Sequence, residues 1–91
     1  MTWMLVSCYG IYKGRHWEIG TVPLVLGRAV DCAIVIDDPS VSRRHCTLCQ
    51  VNGEIHLQDM GSIHPPLVNG DEMVDGLLKA GDMVNIGRGS F

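Results

Sequence analysis

The chain has 91 residues and a formal net charge of -3 at pH 7. This length suits one small domain, close to the lower size limit for a single hydrophobic core. With 46% hydrophobic and 19% charged residues, the composition argues against intrinsic disorder. The apolar runs are too short to span a bilayer, and no signal-peptide pattern opens the chain. We therefore expect one soluble, cytoplasmic domain over residues 1–91.

Short apolar segments bounded by turn residues run through the first part of the chain. No segment shows a sustained helical period, and several are rich in strand formers. The predicted strands here are Trp3 to Tyr9, His16 to Ile19, Val22 to Leu26 and Ile34 to Ile36, with a turn at Lys13-Gly14.

The second part contains two Asn-Gly pairs, the dipeptide best suited to a tight hairpin because both turn positions need positive φ. The first pair, Asn52-Gly53, separates His45–Val51 from Glu54–Gln58; the second, Asn69-Gly70, separates Leu67-Val68 from Met73-Val74, and Gly81-Asp82 precedes Met83–Ile86. Strands at roughly 8–12-residue spacing favour an all-β, antiparallel sandwich. We expect its function to lie on the connecting loops.

Four cysteines raise the question of a metal or redox site. Cys8, Cys32 and Cys46 lie in apolar, strand-like runs, where free cysteine packs as a small hydrophobe. Cys46 and Cys49 have C-x-x-C spacing. Residues three apart on a strand point to opposite faces, and no second C-x-x-C or spaced histidine pair follows. Packed, reduced thiols are the favoured interpretation, with a metal or redox role as the alternative.

A local cluster of cations stands out in this acidic chain. Pro39-Ser40-Val41-Ser42-Arg43-Arg44-His45 follows Gly27-Arg28 and precedes an apolar strand. Guanidinium groups offer planar, paired donors to phosphate oxygens, and a serine hydroxyl adds a neutral donor. This stretch predicts a loop that binds an anionic ligand.

The motifs also occur in a characteristic order along the chain, which is more specific than any one of them alone. The series is Leu26-Gly27-Arg28, Ile34 to His45, Leu57-Gln58-Asp59-Met60-Gly61-Ser62, Val68-Asn69-Gly70 and Leu78 to Gly87. It resembles the forkhead-associated (FHA) domain over nearly the whole chain. The resemblance implies a sandwich of ten or eleven short strands whose loops at one end bind phosphothreonine in a partner protein, with no cofactor.

The resemblance also assigns roles to residues of this sequence. Arg28 resembles the family's phosphate-binding arginine, Ser42 its phosphate-binding serine, and Arg43 the adjacent loop residue that contacts phosphate or peptide backbone. Structural roles fall to His45 as a brace of the loop, to Gly27 as a tight-turn glycine, and to the turn Asn69-Gly70.

One loop departs from the family pattern Gly-Ser-Thr-Asn-Gly-Thr, because this chain reads Gly61-Ser62-Ile63-His64-Pro65-Pro66. Ile63 has no hydroxyl to donate to phosphate, and His64 replaces an asparagine that grips peptide backbone. His64 is expected to contact the phosphopeptide in its place. Further candidate contacts are Arg44, Ser62 and Ile63. Alternatively, the phosphate site is degenerate and the module binds an unmodified partner.

Two other classes of function are less favoured by the sequence. Ser42 and His45, with Asp37 and Asp38, would supply the residue types of a nucleophilic triad, but no nucleophile-elbow pattern surrounds them. Seven basic residues against ten acidic ones, with five aromatics, do not suit nucleic acid binding. We expect neither catalysis, nor nucleic acid binding, nor membrane binding.

The end of the sequence gives one further expectation. The family pattern continues past Ile86-Gly87 into a final strand, whereas this sequence stops at Phe91. We expect that strand to be truncated, which would leave an unpaired edge. A second copy of the chain could cover it, as a homodimer.

Overall fold

A computed structural model describes residues 2–91 as eleven short β-strands and one turn of 3-10 helix. Their bounds are β1 Trp3–Val6, the 3-10 turn Gly10–Tyr12, β2 His16–Ile19, β3 Leu24–Gly27, β4 Ile34–Val35, β5 Cys46–Val51, β6 Glu54–Asp59, β7 Leu67–Val68, β8 Asp71–Glu72, β9 Asp75–Leu78, β10 Val84–Ile86 and β11 Gly89–Ser90. The predicted all-β class is confirmed.

The strands form a five-stranded sheet, a four-stranded sheet and a two-stranded hairpin. Their orders are β4-β3-β5-β6-β9, β11-β10-β7-β8 and β1-β2. Pairing is antiparallel with one exception among the described strands, since β3 and β4 run parallel with Leu26 opposite Ile34. The predicted antiparallel β-sandwich is confirmed, and its one parallel pair arises because residues 28–33 carry the chain back along β3.

Alternating burial in the strands supplies the core. Cys46 and Leu48 of β5 pack with Ile55 and Leu57 of β6, each 2% exposed or less. The four-stranded sheet contributes Val68, Val84 and Ile86, and Phe91 joins the same cluster. Because both sheets direct these side chains inward, the loops at the sheet ends project from a rigid β-sandwich.

The hairpin predictions are confirmed at both Asn-Gly pairs. Asn52 and Gly53 have φ of 52° and 79°, and Asn69 and Gly70 have φ of 52° and 91°. Both pairs therefore adopt the left-handed conformation in which asparagine and glycine are tolerated. The first joins β5 to β6, and the second joins β7 to β8.

Several strand boundaries differ from the sequence predictions. The first strand ends at Val6 rather than Tyr9, so Cys8 lies outside it and is exposed. The hairpin partner of β7 is Asp71–Glu72 rather than Met73-Val74. The strand Asp75–Leu78, which pairs with β6, is absent from the sequence prediction because Asp75 and Gly76 are poor strand formers.

All four cysteines are free thiols. Cys46 is fully buried, and this burial raises the pKa of its thiol to about 12. Cys49 lies three residues along the same strand and is half-buried. Within residues 2–91, no group of three or more histidine, cysteine or acidic side chains is arranged to bind a metal ion. These same residues include no helix long and apolar enough to cross a membrane.

The last residues of the sequence join the four-stranded sheet. Phe91 exchanges two backbone hydrogen bonds with Val84, at 2.8 Å each, and is 5% exposed. On the other side of β11, the Ser90 carbonyl accepts a hydrogen bond from the Cys8 N–H at 2.8 Å. Strand β11 is thus short and has hydrogen-bond partners on both sides.

Candidate functional site

Three loops meet beside the end of β3: residues 28–33, residues 36–45 and residues 60–66. The Arg28 and Ala29 N–H groups donate to the carbonyls of Ser42 and Arg43, each at 3.0 Å. The Met60 N–H donates to the His45 carbonyl at 2.9 Å. The backbone itself therefore brings the sequence-predicted residues of all three loops together.

Arg28 follows the last residue of β3 and is anchored at two points. Besides its backbone bond to Ser42, its Nε–H donates to the Val41 carbonyl at 3.0 Å. Among the described residues, neither terminal guanidinium nitrogen of Arg28 has a hydrogen-bond partner, and the residue is exposed. The anchored stem fixes the direction of the guanidinium and leaves its two outer nitrogens available to an anion.

His45 joins two of the loops through its imidazole ring. The Ser42 N–H donates to its Nδ1 at 3.1 Å, so Nε2 carries the proton and donates to the His64 carbonyl at 2.7 Å. The residue is 1% exposed. Both ring nitrogens are thus engaged, and the Ser42 and His64 backbones are fixed relative to each other.

Gly27 lies at the end of β3 rather than in a tight turn, which corrects the expected reason for glycine. A Cβ at this position would lie 2.8 Å from the carbonyl carbon of Arg43 and 3.0 Å from Cα of Arg44. Its φ is not in the left-handed region. Glycine is required here because the backbone carrying the two arginines passes directly over the strand.

Asp38 shapes the loop before Ser42. Its carboxylate accepts hydrogen bonds from the Ser40 N–H and hydroxyl, each at 2.9 Å, and from the Arg88 N–H at 2.9 Å. The Ser40 N–H, followed by its hydroxyl, holds the pKa of Asp38 below the ordinary value of 3.8. The ionised form of this 7% exposed residue therefore stabilises the turn.

Asp59 likewise accepts hydrogen bonds that hold the third loop, residues 60–66, in its turn. Its carboxylate accepts hydrogen bonds from the N–H groups of Gly61 and Ser62, each at 3.0 Å, and from the Ser62 hydroxyl. A serine hydroxyl can donate one hydrogen bond, and the Ser62 hydroxyl donates it to the Asp59 carboxylate. Ser62, a further candidate contact, consequently has no proton left for a phosphate oxygen.

The two neighbouring arginines differ in their surroundings. Arg44 forms an ion pair with Asp31, with both side chains more than half exposed. Arg43 is exposed and forms no ion pair with any described residue. The charge of Arg43 is the more available of the two to a ligand.

Ile63 and His64 lie at the exposed tip of the third loop. Ile63 is 83% exposed, and the His64 ring is exposed and has no hydrogen-bond partner within residues 2–91. Only the His64 carbonyl is held, by His45. This loop offers an apolar side chain and an imidazole, but no free hydroxyl donor.

The turn Asn69-Gly70 lies apart from these loops and supports the fold. The Asn69 side chain accepts from the Met83 N–H at 2.9 Å and donates to Asp82 at 3.0 Å. These bonds connect the β7–β8 hairpin to Asp82 and Met83, the two residues before β10.

A nucleophilic triad is not formed by the residues that suggested it. The Nδ1 of His45 accepts from the Ser42 backbone rather than its hydroxyl, and Nε2 is bound to His64. Asp38 bonds with Ser40 and Arg88. Neither His45 nor Asp38 is therefore directed as a general base at the Ser42 hydroxyl.

Sequence reasoning did not identify Asp38 and Asp59 as organisers of the loops. A signal was present, because aspartate commonly accepts hydrogen bonds from backbone groups two or three residues ahead in turns. The segments Asp38-Pro39-Ser40 and Asp59 to Ser62 both fit that pattern. No sequence pattern indicates that the Val41 carbonyl accepts a hydrogen bond from the Arg28 side chain.

Comparison with known proteins identifies the family. The family model of the FHA domain matches residues 24–87, which include all three loops. The chain belongs to the FHA domain family. The FHA resemblance inferred from the motifs is thereby confirmed.

Relatives of known name and structure share this domain. The glycogen accumulation regulator GarA of Mycobacterium tuberculosis is 39% identical over 85 residues, covering 93% of this chain and 52% of GarA. The FhaA FHA domain, solved in complex with the intracellular domain of Rv3910, has a TM-score of 0.84 and 25% identity, covering 96% of this chain and 93% of that one. Mycobacterium tuberculosis EmbR, solved with a low-affinity phosphopeptide, has a TM-score of 0.84 and 25% identity, covering 97% of this chain and 23% of EmbR. The chain spans about half the length of GarA.

Proposed function

We propose that this FHA domain binds a phosphothreonine-containing segment of a partner protein and acts as a non-catalytic adaptor in signalling or assembly. The observation that carries the proposal is the Arg28 guanidinium, whose two outer nitrogens have no hydrogen-bond partner among the described residues and whose backbone N–H is bonded to the Ser42 carbonyl. The Ser42 hydroxyl has no hydrogen-bond partner among the described residues. A phosphate dianion would satisfy both groups.

Electrostatics support the same assignment. The chain is acidic overall, yet Arg28 and Arg43, on adjoining loops, form no ion pair with any residue that the structure describes. Hydrogen bonds to charged groups contribute about 1.5–3 kcal/mol each. In this proposal Arg28 and Ser42 bind the phosphate, while Arg43 and His64 contact phosphate or the peptide backbone. Arg44, already paired with Asp31, makes a smaller contribution.

The test is a titration of labelled phosphothreonine peptides, followed by fluorescence anisotropy. Arg28→Ala should weaken binding by about tenfold or more, because a charge-assisted pair is lost. Arg44→Ala is the matched control, since it removes an exposed arginine from a neighbouring position and should change affinity by less than about threefold. Equal binding of a phosphopeptide library by wild type and Arg28→Ala would overturn the proposal.

The third loop favours a second candidate function. Ile63 is 83% exposed and the Ser62 hydroxyl is bound to Asp59, so this loop supplies no hydroxyl to phosphate. The alternative is an FHA-type interaction module with a degenerate phosphate site that binds an unmodified partner. Capture of the same partner segment with equal affinity before and after phosphatase treatment would favour it.

A cytoplasmic location and a homodimer through the terminal edge stay predictions from the sequence. Sedimentation velocity of the purified protein tests the second of them. A single species of monomer mass across the accessible concentration range would contradict it.

A further inference from the structure

The two Asn-Gly turns provide an internal comparison within one domain. Their segments, Val51-Asn52-Gly53-Glu54 and Val68-Asn69-Gly70-Asp71, are nearly the same in sequence. Both asparagines have φ of 52°, and both are exposed. Because the turns match in sequence, backbone φ and access to solvent, a difference in their chemistry must come from the contacts of the asparagine side chains.

The side-chain amide is held at one turn and free at the other. The Oδ1 atom of Asn69 accepts a hydrogen bond from the Met83 N–H at 2.9 Å, and its Nδ2 donates to Asp82 at 3.0 Å. The side-chain amide of Asn52 has no hydrogen-bond partner within residues 2–91. Asn69 must therefore break two hydrogen bonds before its amide can turn toward its own backbone, whereas Asn52 breaks none.

The glycine after each asparagine leaves its backbone nitrogen accessible. Among the described residues, neither the Gly53 N–H nor the Gly70 N–H donates a hydrogen bond. A Cβ built on either glycine meets nothing within 4 Å, so no neighbouring atom covers the turn. With no side chain on the following residue, the backbone nitrogen can approach the side-chain carbonyl carbon of the asparagine closely. Asparagine is a thermolabile residue, and this approach is the first step of its loss.

We propose that Asn52 is a site of spontaneous covalent modification, at which ring closure onto the Gly53 nitrogen converts the asparagine to aspartate or isoaspartate, and that Asn69 is protected by its two hydrogen bonds. The Gly53 nitrogen forms a bond to Cγ of Asn52, loses its proton to solvent, and ammonia leaves. Water then opens the cyclic imide at one of its two carbonyl groups. One water is consumed and one ammonia is released, with no oxidant or reductant.

The modified turn lies at the end of β5 that is remote from the three loops. The six residues of β5, Cys46–Val51, separate Asn52 from residues 36–45, at about 3.3 Å each. The Gly53 carbonyl accepts a hydrogen bond from the Trp3 Nε1–H at 3.2 Å, which connects the turn to β1. Isoaspartate adds a methylene to the backbone of the turn and a carboxylate beside it. It should therefore weaken the bond to Trp3 and leave the phosphate site unchanged, so this inference does not depend on the proposed function.

The experiment incubates the folded protein in mildly alkaline buffer at physiological temperature and follows deamidation by mass spectrometry. Cleavage after glutamate places Asn52 in the peptide of residues 19–54 and Asn69 in that of residues 55–72, so the two sites are measured separately. Asn52 should convert at least about tenfold faster than Asn69, because the hydrogen bonds of Asn69 must break first. Fragmentation of the first peptide distinguishes isoaspartate from aspartate.

Two controls test whether the side-chain contacts cause the difference. In urea-unfolded protein the two sites should convert at rates within about threefold of each other, because their flanking residues match and the hydrogen bonds are gone. Asp82→Ala removes one bond to Asn69 and should speed conversion there by about threefold or more, with no change at Asn52. Asp82→Asn is the matched variant, since it retains an oxygen acceptor and should keep Asn69 protected. Circular dichroism would establish that both variants are folded.

The rates in wild type decide the proposal without any variant. Rates at Asn52 and Asn69 within about threefold of each other in the folded protein, or faster conversion at Asn69, would overturn it. Conversion of Asn52 in urea but not in the folded protein would also overturn it, because the turn would then protect the free amide. An Asn69 rate that does not rise in folded Asp82→Ala would refute the protecting role of the hydrogen bonds.

Discussion

The contributions of the two His45 hydrogen bonds can be measured separately, because asparagine and glutamine at this position can each keep a different one of them. Asparagine places an acceptor near the position of Nδ1 and can keep the bond from the Ser42 N–H. Glutamine places a donor near Nε2 and can keep the bond to the His64 carbonyl. Each variant therefore releases one loop and leaves the other attached.

The magnitudes follow from the contacts. A hydrogen bond contributes about 0.5–1.5 kcal/mol net, and a buried group left unpaired costs about 1–3 kcal/mol. His45→Asn and His45→Gln should each lower the free energy of unfolding by about 1–2 kcal/mol, since the freed group lies in a loop that water can reach. His45→Ala loses both bonds and leaves a cavity at a residue that is 1% exposed, so about 3–5 kcal/mol is expected.

Urea denaturation measures these stabilities, and the phosphopeptide titration measures the site. His45→Gln should weaken phosphopeptide binding more than His45→Asn, because it releases Ser42, the proposed phosphate ligand. The bracing role of His45 would be refuted if His45→Ala unfolded within about 1 kcal/mol of wild type, or if the Asn and Gln variants bound peptide equally well.

Substitutions at Gly27, Ile63 and Asp38 test three further features of the loops. Gly27→Ala should destabilise the domain by about 2–3 kcal/mol in urea denaturation, because the added Cβ meets the Arg43 backbone; a change under about 0.5 kcal/mol would contradict this. Ile63→Thr should tighten phosphopeptide binding by about tenfold in the anisotropy assay, because it adds a hydroxyl donor at an exposed position, and an unchanged affinity would place residue 63 outside the site. Asp38 has a pKa below its unfolded value of 3.8, so its contribution to stability is present above about pH 4 and is lost as pH falls through the lower, folded pKa. The stability advantage of wild type over Asp38→Asn should therefore shrink below about pH 4 in urea titrations, and a constant difference down to about pH 2 would contradict the assignment.

Local sequence signals predict the turns and the two longest strands well. Asn-Gly pairs specify positive φ by themselves, so the sequence alone is enough to place the turns at Asn52 and Asn69. The predicted and observed bounds of β5 and β6 agree to within a residue, because their alternation is long enough to show which face is buried. Short elements such as β9 carry no comparable pattern.

Contacts between distant segments cannot be predicted in the same way. The need for glycine at Gly27 arises from the backbone at Arg43, and the bond from His45 to His64 joins two loops. The Arg44–Asp31 ion pair, which distinguishes Arg44 from Arg43, likewise depends on how two loops pack. The motif resemblance points to His45 and Gly27 as structural residues, but the partners that they contact follow from the tertiary structure and cannot be read from periodicity.

The most direct test of the proposed phosphate site is a ¹H–¹⁵N NMR titration with a phosphothreonine peptide and its unphosphorylated counterpart. We expect the phosphopeptide alone to shift the backbone amides of Ser42 and Arg43 and the side-chain Nε–H of Arg28. These shifts should disappear in Arg28→Ala and persist in Arg44→Ala. Identical shifts with both peptides, or shifts confined to residues outside the three loops, would contradict this expectation.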